Sequence, residues 1–242
     1  MNDHLKNFYS RLYQSSQRTQ PLGEAHYQLC AKQLRGRWMR WLPADKNVRI
    51  LDLGCGCGEL LYFLRSLGYT HLYGIDACPE EIDRGRHMGL STLICADAHD
   101  FLESPREKFD LIFALNFFEH LSKDRMVSFL DKVYQALVPR GKVLAVTPNG
   151  LSPFSGATRY WDFTHETCFT PASWRQLAAI CGFQETRFEE YGPIPHSFPG
   201  VVRCGIWQGI RLFYTFLSTV EVGGDRDVSH VYTSDMKVIL TK

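Results

Sequence analysis

The chain has almost no net charge: 27 lysines and arginines against 26 aspartates and glutamates leave +1 over 242 residues. That removes the broad basic field that captures nucleic acid, so no nucleic-acid partner is expected. There is no uninterrupted apolar run of membrane-spanning length. The most apolar segment, residues 201–217, is broken by Arg203, Gln208 and Arg211. Residues 1–6 lack the basic-then-apolar pattern of a secretory signal, so the expected location is cytoplasmic, with segment 201–217 the candidate for peripheral contact at the inner face of a membrane. The eight cysteines are scattered along a long chain and are expected to be reduced thiols. Cys55-x-Cys57 has no second pair at zinc-ligand spacing, and no metal is expected. No internal repeat or low-complexity tract is present, and 45% hydrophobic residues suffice for one large domain core.

What the sequence does have is a glycine turn. Ile50-Leu51-Asp52-Leu53-Gly54-Cys55-Gly56-Cys57-Gly58-Glu59 reads as a buried strand ending near an acid, three alternating glycines and a helix start. Glycines there let the backbone approach a ligand that a Cβ would hold off, above unpaired helix N–H groups. A dinucleotide fingerprint would carry its third glycine three residues after the second, where this chain has Glu59. Asp52 and Glu59 would also repel a pyrophosphate, so the turn suits a different ligand.

Elsewhere strand and helix patterns alternate. Strands are predicted at 48–53, 71–75, 92–95, 109–115, 142–147, 184–191 and 236–240, and helices at 58–66, 79–87, 99–103, 124–137 and 171–179. Such alternation predicts an α/β fold: a Rossmann-like seven-stranded, mostly parallel sheet with helices on both faces, the last strand antiparallel, and an N-terminal helical cap. The expected division is a cap over 1–45 and a main domain over 46–242, with lid or substrate elements near 150–170 and 193–230. Ile206, Ile210, Phe213 and Leu217 form one helical stripe expected to pack as a lid or lie on a bilayer.

Ligands in such sheets sit at the carboxyl ends of the strands, and here acids stand there. Asp52, Asp76 and Asp97 end the first three strands, and Asn116-Phe117-Phe118-Glu119-His120 follows the fourth. The Asp-x-Gly-x-Gly-x-Gly spacing resembles the first motif of class I S-adenosylmethionine-dependent methyltransferases, over about Val48 to Lys242. The resemblance implies S-adenosylmethionine as cofactor and S-adenosylhomocysteine as product. It places the cofactor among Asp52, Gly54, Cys55, Gly56, Gly58, Asp76, Ala77, Asp97, Ala98, Leu115 and Asn116. Asp76 would hold the ribose, Asp97 and Ala98 would read the adenine, and the Leu115 and Gly54 carbonyls would meet the methionine ammonium. Tyr9, Tyr13 and Arg18 would close over its carboxylate.

The acceptor is addressed by other residues. The Asp/Asn-Pro-Pro-aromatic signature of base amino-methyltransferases is missing after strand four, whereas Glu119-His120-Leu121 resembles that of small-molecule methyltransferases, including ubiquinone-pathway enzymes. Some of those bind a divalent metal through a further Glu three residues earlier, which is Asn116 here. The segment Arg159 to Pro171 resembles one found in bacterial methyltransferases of polysaccharide assembly. It offers Arg159, Tyr160 and Trp161 as substrate contacts, and Asp162 and His165 as orienter and base, with His120 as the competing base. O-methylation of a sugar or glycan-precursor hydroxyl is the expectation. The alternatives are a quinone-precursor-like or other lipid-soluble phenol, a phosphate or carboxylate clamped by Arg159, and, outside the enzymes, a cofactor-binding partner subunit.

Overall fold

The structure, a computed structural model, describes residues 8, 11, 22–103, 107–223 and 229–242. Tyr9, Tyr13 and Arg18 lie outside the described residues. Seven strands, β1 (Arg49–Leu53), β2 (His71–Asp76), β3 (Leu93–Cys95), β4 (Phe109–Leu115), β5 (Leu137–Pro148), β6 (Glu185–Glu190) and β7 (Asp235–Thr241), form one sheet in the order β3-β2-β1-β4-β5-β7-β6. Neighbours from β3 to β5 are parallel, and β7 runs antiparallel to both β5 and β6. The expected topology is therefore present. The carboxyl ends of β1 to β6 and the start of β7 share one edge.

Eight helices are described: α1 (Glu24–Trp38), α2 (Glu59–Ser66), α3 (Pro79–His87), α4 (Ala98–Glu103), α5 (Lys123–Ala136), α6 (Ser155–Arg159), α7 (Pro171–Ile180) and α8 (Phe198–Val222). Their starts have local causes. Pro79 and Pro171 open α3 and α7 with a pre-set φ, and Thr170 and Ser173 close a reciprocal capping box on α7. Helices cover both faces. On one, Met126, Phe129 and Val133 of α5 and Trp174 of α7 join Leu51, Ile112 and Val238 of the sheet. On the other, Tyr27 and Trp38 of α1 and Phe63 of α2 join Ile50, Phe113 and Ile239. β1 and β4 are buried on both sides, which is why they read as continuous apolar runs.

Three details differ from the sequence expectation. β5 begins at Leu137, and Pro139-Arg140-Gly141 lies inside it as an irregularity: Arg140 has φ +66° and the β4–β5 register shifts between Phe109 and Leu111. The loop after β5 contains α6. The stripe on α8 faces outward: Ile206, Phe213 and Leu217 are exposed, while Cys204, Trp207 and Tyr214 turn toward the body. Among the described residues no helix is long and apolar enough to cross a membrane.

Trp174 tests the packing of one face. Its indole is fully buried, stacks on Phe169 with centroids 4.6 Å apart and donates to Thr147 Oγ1 at 3.2 Å. Trp174→Ala should lower the unfolding free energy by about 3–5 kcal/mol in urea titration. A loss below about 1 kcal/mol would mean that α7 does not bear on the core.

Candidate functional site

The glycine turn between β1 and α2 holds three left-handed residues, Gly54 (φ +70°), Gly56 (φ +52°) and Gly58 (φ +83°). A Cβ at Gly54 would lie 2.7 Å from the Phe117 ring, and one at Gly58 2.6 Å from Leu90. Nothing stands within 4 Å of a Cβ at Gly56, so that backbone faces open space a ligand can enter. The turn is tied down from both sides. Gly54 and Cys55 N–H groups donate to the Ile75 carbonyl, and the buried Tyr27 hydroxyl donates to the Cys57 carbonyl at 2.9 Å.

The acids then crowd this turn. Asp52 is 2% exposed, and its Oδ1 has no hydrogen-bond partner among the described residues. Burial, then Glu59 and Asp76, push its carboxyl well above the usual range. Such a group keeps its proton until a positive charge arrives. Asp76 accepts from Gly56 N–H at 2.9 Å through Oδ2 and from Cys78 N–H at 2.8 Å through Oδ1. Each oxygen keeps a further lone pair, the acceptor geometry a vicinal diol requires. Asp97 starts α4 and accepts from His99 N–H at 2.8 Å, and the Ala96 N–H donates to the Asp76 carbonyl. Leu115 ends β4, and Asn116 follows it at φ +55°, a strained position for a non-glycine residue. The eleven residues expected around the cofactor thus lie at the carboxyl ends of four adjacent strands, β3-β2-β1-β4.

A second cluster forms where β4 meets the loop after β5. The Glu119 carbonyl accepts from Glu166 and Thr167 N–H groups, which ties that loop to the turn Phe118–His120. His120 and His165 meet edge to face with centroids 4.9 Å apart. Asp162 is brought close, but it reaches His120 instead of His165: its Oδ1 accepts from the Thr164 hydroxyl at 2.7 Å, and that hydroxyl lies 2.8 Å from His120 Nδ1. His165 Nδ1 instead lies 3.3 Å from the Arg159 carbonyl. Burial, then His165, holds His120 below its ordinary pKa. Burial works to raise Asp162, but the Thr164 hydroxyl and amide and the two histidines outweigh it and hold it low.

Arg159, Tyr160 and Trp161 are exposed, Trp161 at 87%, and the Arg159 guanidinium lies over the Tyr160 ring. Phe163, also exposed, meets Phe8 with centroids 5.8 Å apart. Sequence reasoning missed Thr164, Phe117 and Glu119 as site residues. Only Glu119 carried a signal, its place before His120. Its side chain is fully buried, and neither carboxylate oxygen has a partner among the described residues; burial, then Asp235 and Asp162, push it up to about 8. Two groups have the donors for a metal ion, Glu119, His120 and His165, and His26, Cys30 and Glu59, each with ligand atoms within 4.8 Å of one another. In the second, His26 Nε2 already lies 3.1 Å from Glu59.

A cationic sulfonium cofactor fits the first cluster: orphaned buried acid for its charge, a diol-binding carboxylate for its ribose, and an open glycine backbone. Fold and site together define a class I S-adenosylmethionine-dependent methyltransferase. A methyltransferase-domain family matches residues 24–186, and the chain belongs to that family. It is 31% identical over 118 residues to a ubiquinone biosynthesis O-methyltransferase of Chelativorans sp. (strain BNC1), covering 47% of this chain and 46% of that one. It is 29% identical over 106 residues to the phosphoethanolamine N-methyltransferase of Plasmodium falciparum (isolate 3D7), covering 43% and 40%. The chain thus spans less than half the length of these curated relatives. The crystal structure of an S-adenosylmethionine-dependent methyltransferase from Archaeoglobus fulgidus superposes with a TM-score of 0.64 at 22% identity, over 88% of this chain and 94% of that one.

Two outcomes test the site. Asp76→Ala should weaken S-adenosylmethionine binding on the order of 100-fold or more in calorimetry, from two lost hydrogen bonds to a carboxylate; unchanged affinity would remove Asp76 from the ribose. Glu119, at about 8 when folded and about 4.3 when unfolded, binds more protons folded than unfolded between those values, so stability falls as pH rises through that window. Glu119→Gln should therefore stabilise the protein by up to a few kcal/mol at pH 8 and leave it unchanged at pH 4, measured by denaturation with a chelator present.

Proposed function

We propose that this chain transfers the methyl group of S-adenosylmethionine to a hydroxyl of a sugar or glycan precursor, with His165 as the base, as a step in polysaccharide biosynthesis in the cytoplasm. The observation that carries the reading is the state of the His165 ring. Its Nδ1 faces the Arg159 carbonyl and so carries the proton. Its Nε2 has no hydrogen-bond partner among the described residues and keeps the lone pair. The ring is half-buried at the carboxyl edge beside the β4 end, where an acceptor would meet the cofactor.

When bound, the cofactor supplies an electrophilic methyl on a sulfonium. Displacement is in line, so the protein's task is to align the acceptor and exclude water. A sugar hydroxyl becomes nucleophilic only as its proton leaves, and His165 Nε2 is placed to take it. Asp162 and Asp235 both interact electrostatically with His165. Arg159, Tyr160 and Trp161 would meet the polar and apolar faces of the sugar from the rim.

A second reading has its own observation. α8 exposes Phe198, Ile206, Leu212, Phe213, Phe216 and Val220 to solvent. The likeness to a ubiquinone biosynthesis O-methyltransferase supports a quinone-precursor-like or other lipid-soluble phenol as acceptor, reached from a bilayer on which that face rests, by peripheral contact through 201–217.

His165→Ala should leave S-adenosylmethionine affinity intact and lower turnover roughly 10²–10⁴-fold. Equal turnover would move the base to His120, or the acceptor to a phosphate or carboxylate, which needs no base. Isotopic label from S-adenosylmethionine appearing in a sugar fraction supports the first reading, and label in a lipid extract, dependent on vesicles, the second. Purified protein that binds the cofactor yet labels neither would make the chain a partner subunit.

A further inference from the structure

A cavity of about 590 Å³ opens between α1, β6, β7 and α8. Its size lies in the roughly 300–1,000 Å³ range of small-molecule sites. Among its described lining residues are Arg35, Arg37, Arg40, Arg211 and Lys237 against Glu189 and Glu190. Five cations less two acids leave +3 in a chain whose whole net charge is +1.

Both acids are committed. Glu189 pairs with Arg40 and lies 3.6 Å from Lys237, and Glu190 accepts from Trp207 Nε1 at 2.8 Å. Arg37 donates to the Gly192 carbonyl at 3.3 Å and lies 3.7 Å from the centre of the Tyr191 ring, which fixes its guanidinium in place. Arg35 and Arg211 have neither ion pair nor hydrogen bond among the described residues. Arg211 is on the inner face of α8, in line with Trp207 and Tyr214, while the outer face is apolar. Arg203, the helix's other cation, is exposed, so Arg211 alone turns inward. A positive surplus with two guanidiniums unpaired among the described residues matches an oxyanion, because guanidinium binds phosphate oxygens two at a time.

Position narrows the anion. The β7–β6 flank is three to four places from β1 in the sheet, so at ~4.8 Å per strand the cavity lies about 14–19 Å from the glycine turn. That is too far to serve the cofactor carboxylate. From β4, where His165 meets His120, to the β7–β6 flank is two to three spacings, about 10–15 Å. A hexose joined to a diphosphate spans that gap. Asp235 at the start of β7 interacts with both Arg37 of the cavity and His165 of the site, so the two regions adjoin.

We propose that this cationic cavity holds the phosphate or pyrophosphate group of the methyl acceptor, an inference that rests on the glycan-precursor reading above. Inorganic pyrophosphate is the probe. In calorimetry of the full chain it should bind, more weakly as salt rises, and Arg35→Gln/Arg211→Gln should weaken it at least tenfold. Arg211→Lys, which keeps the charge and loses the fork, should fall between. Against a phosphorylated sugar acceptor, pyrophosphate should compete, and the double variant should raise KM with kcat little changed. Pyrophosphate that binds the double variant as well as the wild type, or does not bind at all, overturns the proposal whatever the acceptor proves to be. Pyrophosphate that binds without competing overturns its assignment to the acceptor. Binding as expected in an enzyme that methylates no sugar hydroxyl overturns the glycan-precursor reading instead, and leaves an anion site without a sugar.

Discussion

Three carboxyls packed against one turn set the terms for the rest of the molecule. Asp52, Glu59 and Asp76 stand close enough to raise the cost of ionising Asp52, and Asp52 is out of reach of water. Main-chain amides answer part of that demand, as Gly56 and Cys78 do for Asp76. Protonation meets the remainder until a positive ligand arrives. The glycines exist to let that ligand in, and Tyr27 of α1 and Ile75 of β2 hold the turn in the shape that admits it.

The carboxyl edge is electrically divided. Acids occupy the β3-β2-β1 flank, cations the β7–β6 flank, and between them lies the Glu119, His120, Asp162 and His165 cluster. This arrangement gives direction to the reaction. A sulfonium loses its charge when the methyl leaves while the ammonium stays, so the acids would attract the cofactor more strongly before transfer than after it. The weaker hold on the spent cofactor would favour its release.

The parts of this design visible in the sequence were those governed by local pattern. β1 and β4 read as strands because burial on both sides leaves an unbroken apolar run, and the turn read as a ligand site because three alternating glycines between a strand and a helix let a ligand approach the backbone. Side-chain direction was not visible. Asp162 and His165 are neighbours in sequence, yet the carboxylate turns to Thr164 and through it to His120. The stripe on α8 left lid packing and a bilayer face both open, and only the structure shows that it turns outward. The cationic cavity left no trace, because Arg35, Arg211 and Lys237 come from three distant stretches whose charges are cancelled in the total.

The placing of β7 also governs how the molecule can be made. It is the last strand in chain order, yet it is seated between β5 and β6, burying Met236, Val238 and Leu240. A ribosome delivers β6 well before the strand that must join it to the sheet, so β6 has no hydrogen-bonding neighbour until residues 235–241 are synthesised. Its pairing is long-range and late, and the exposed strand edge is a point of danger for aggregation in the interim. Asp235, which interacts with both Arg37 and His165, arrives with the same strand, so that link between the two regions forms late as well.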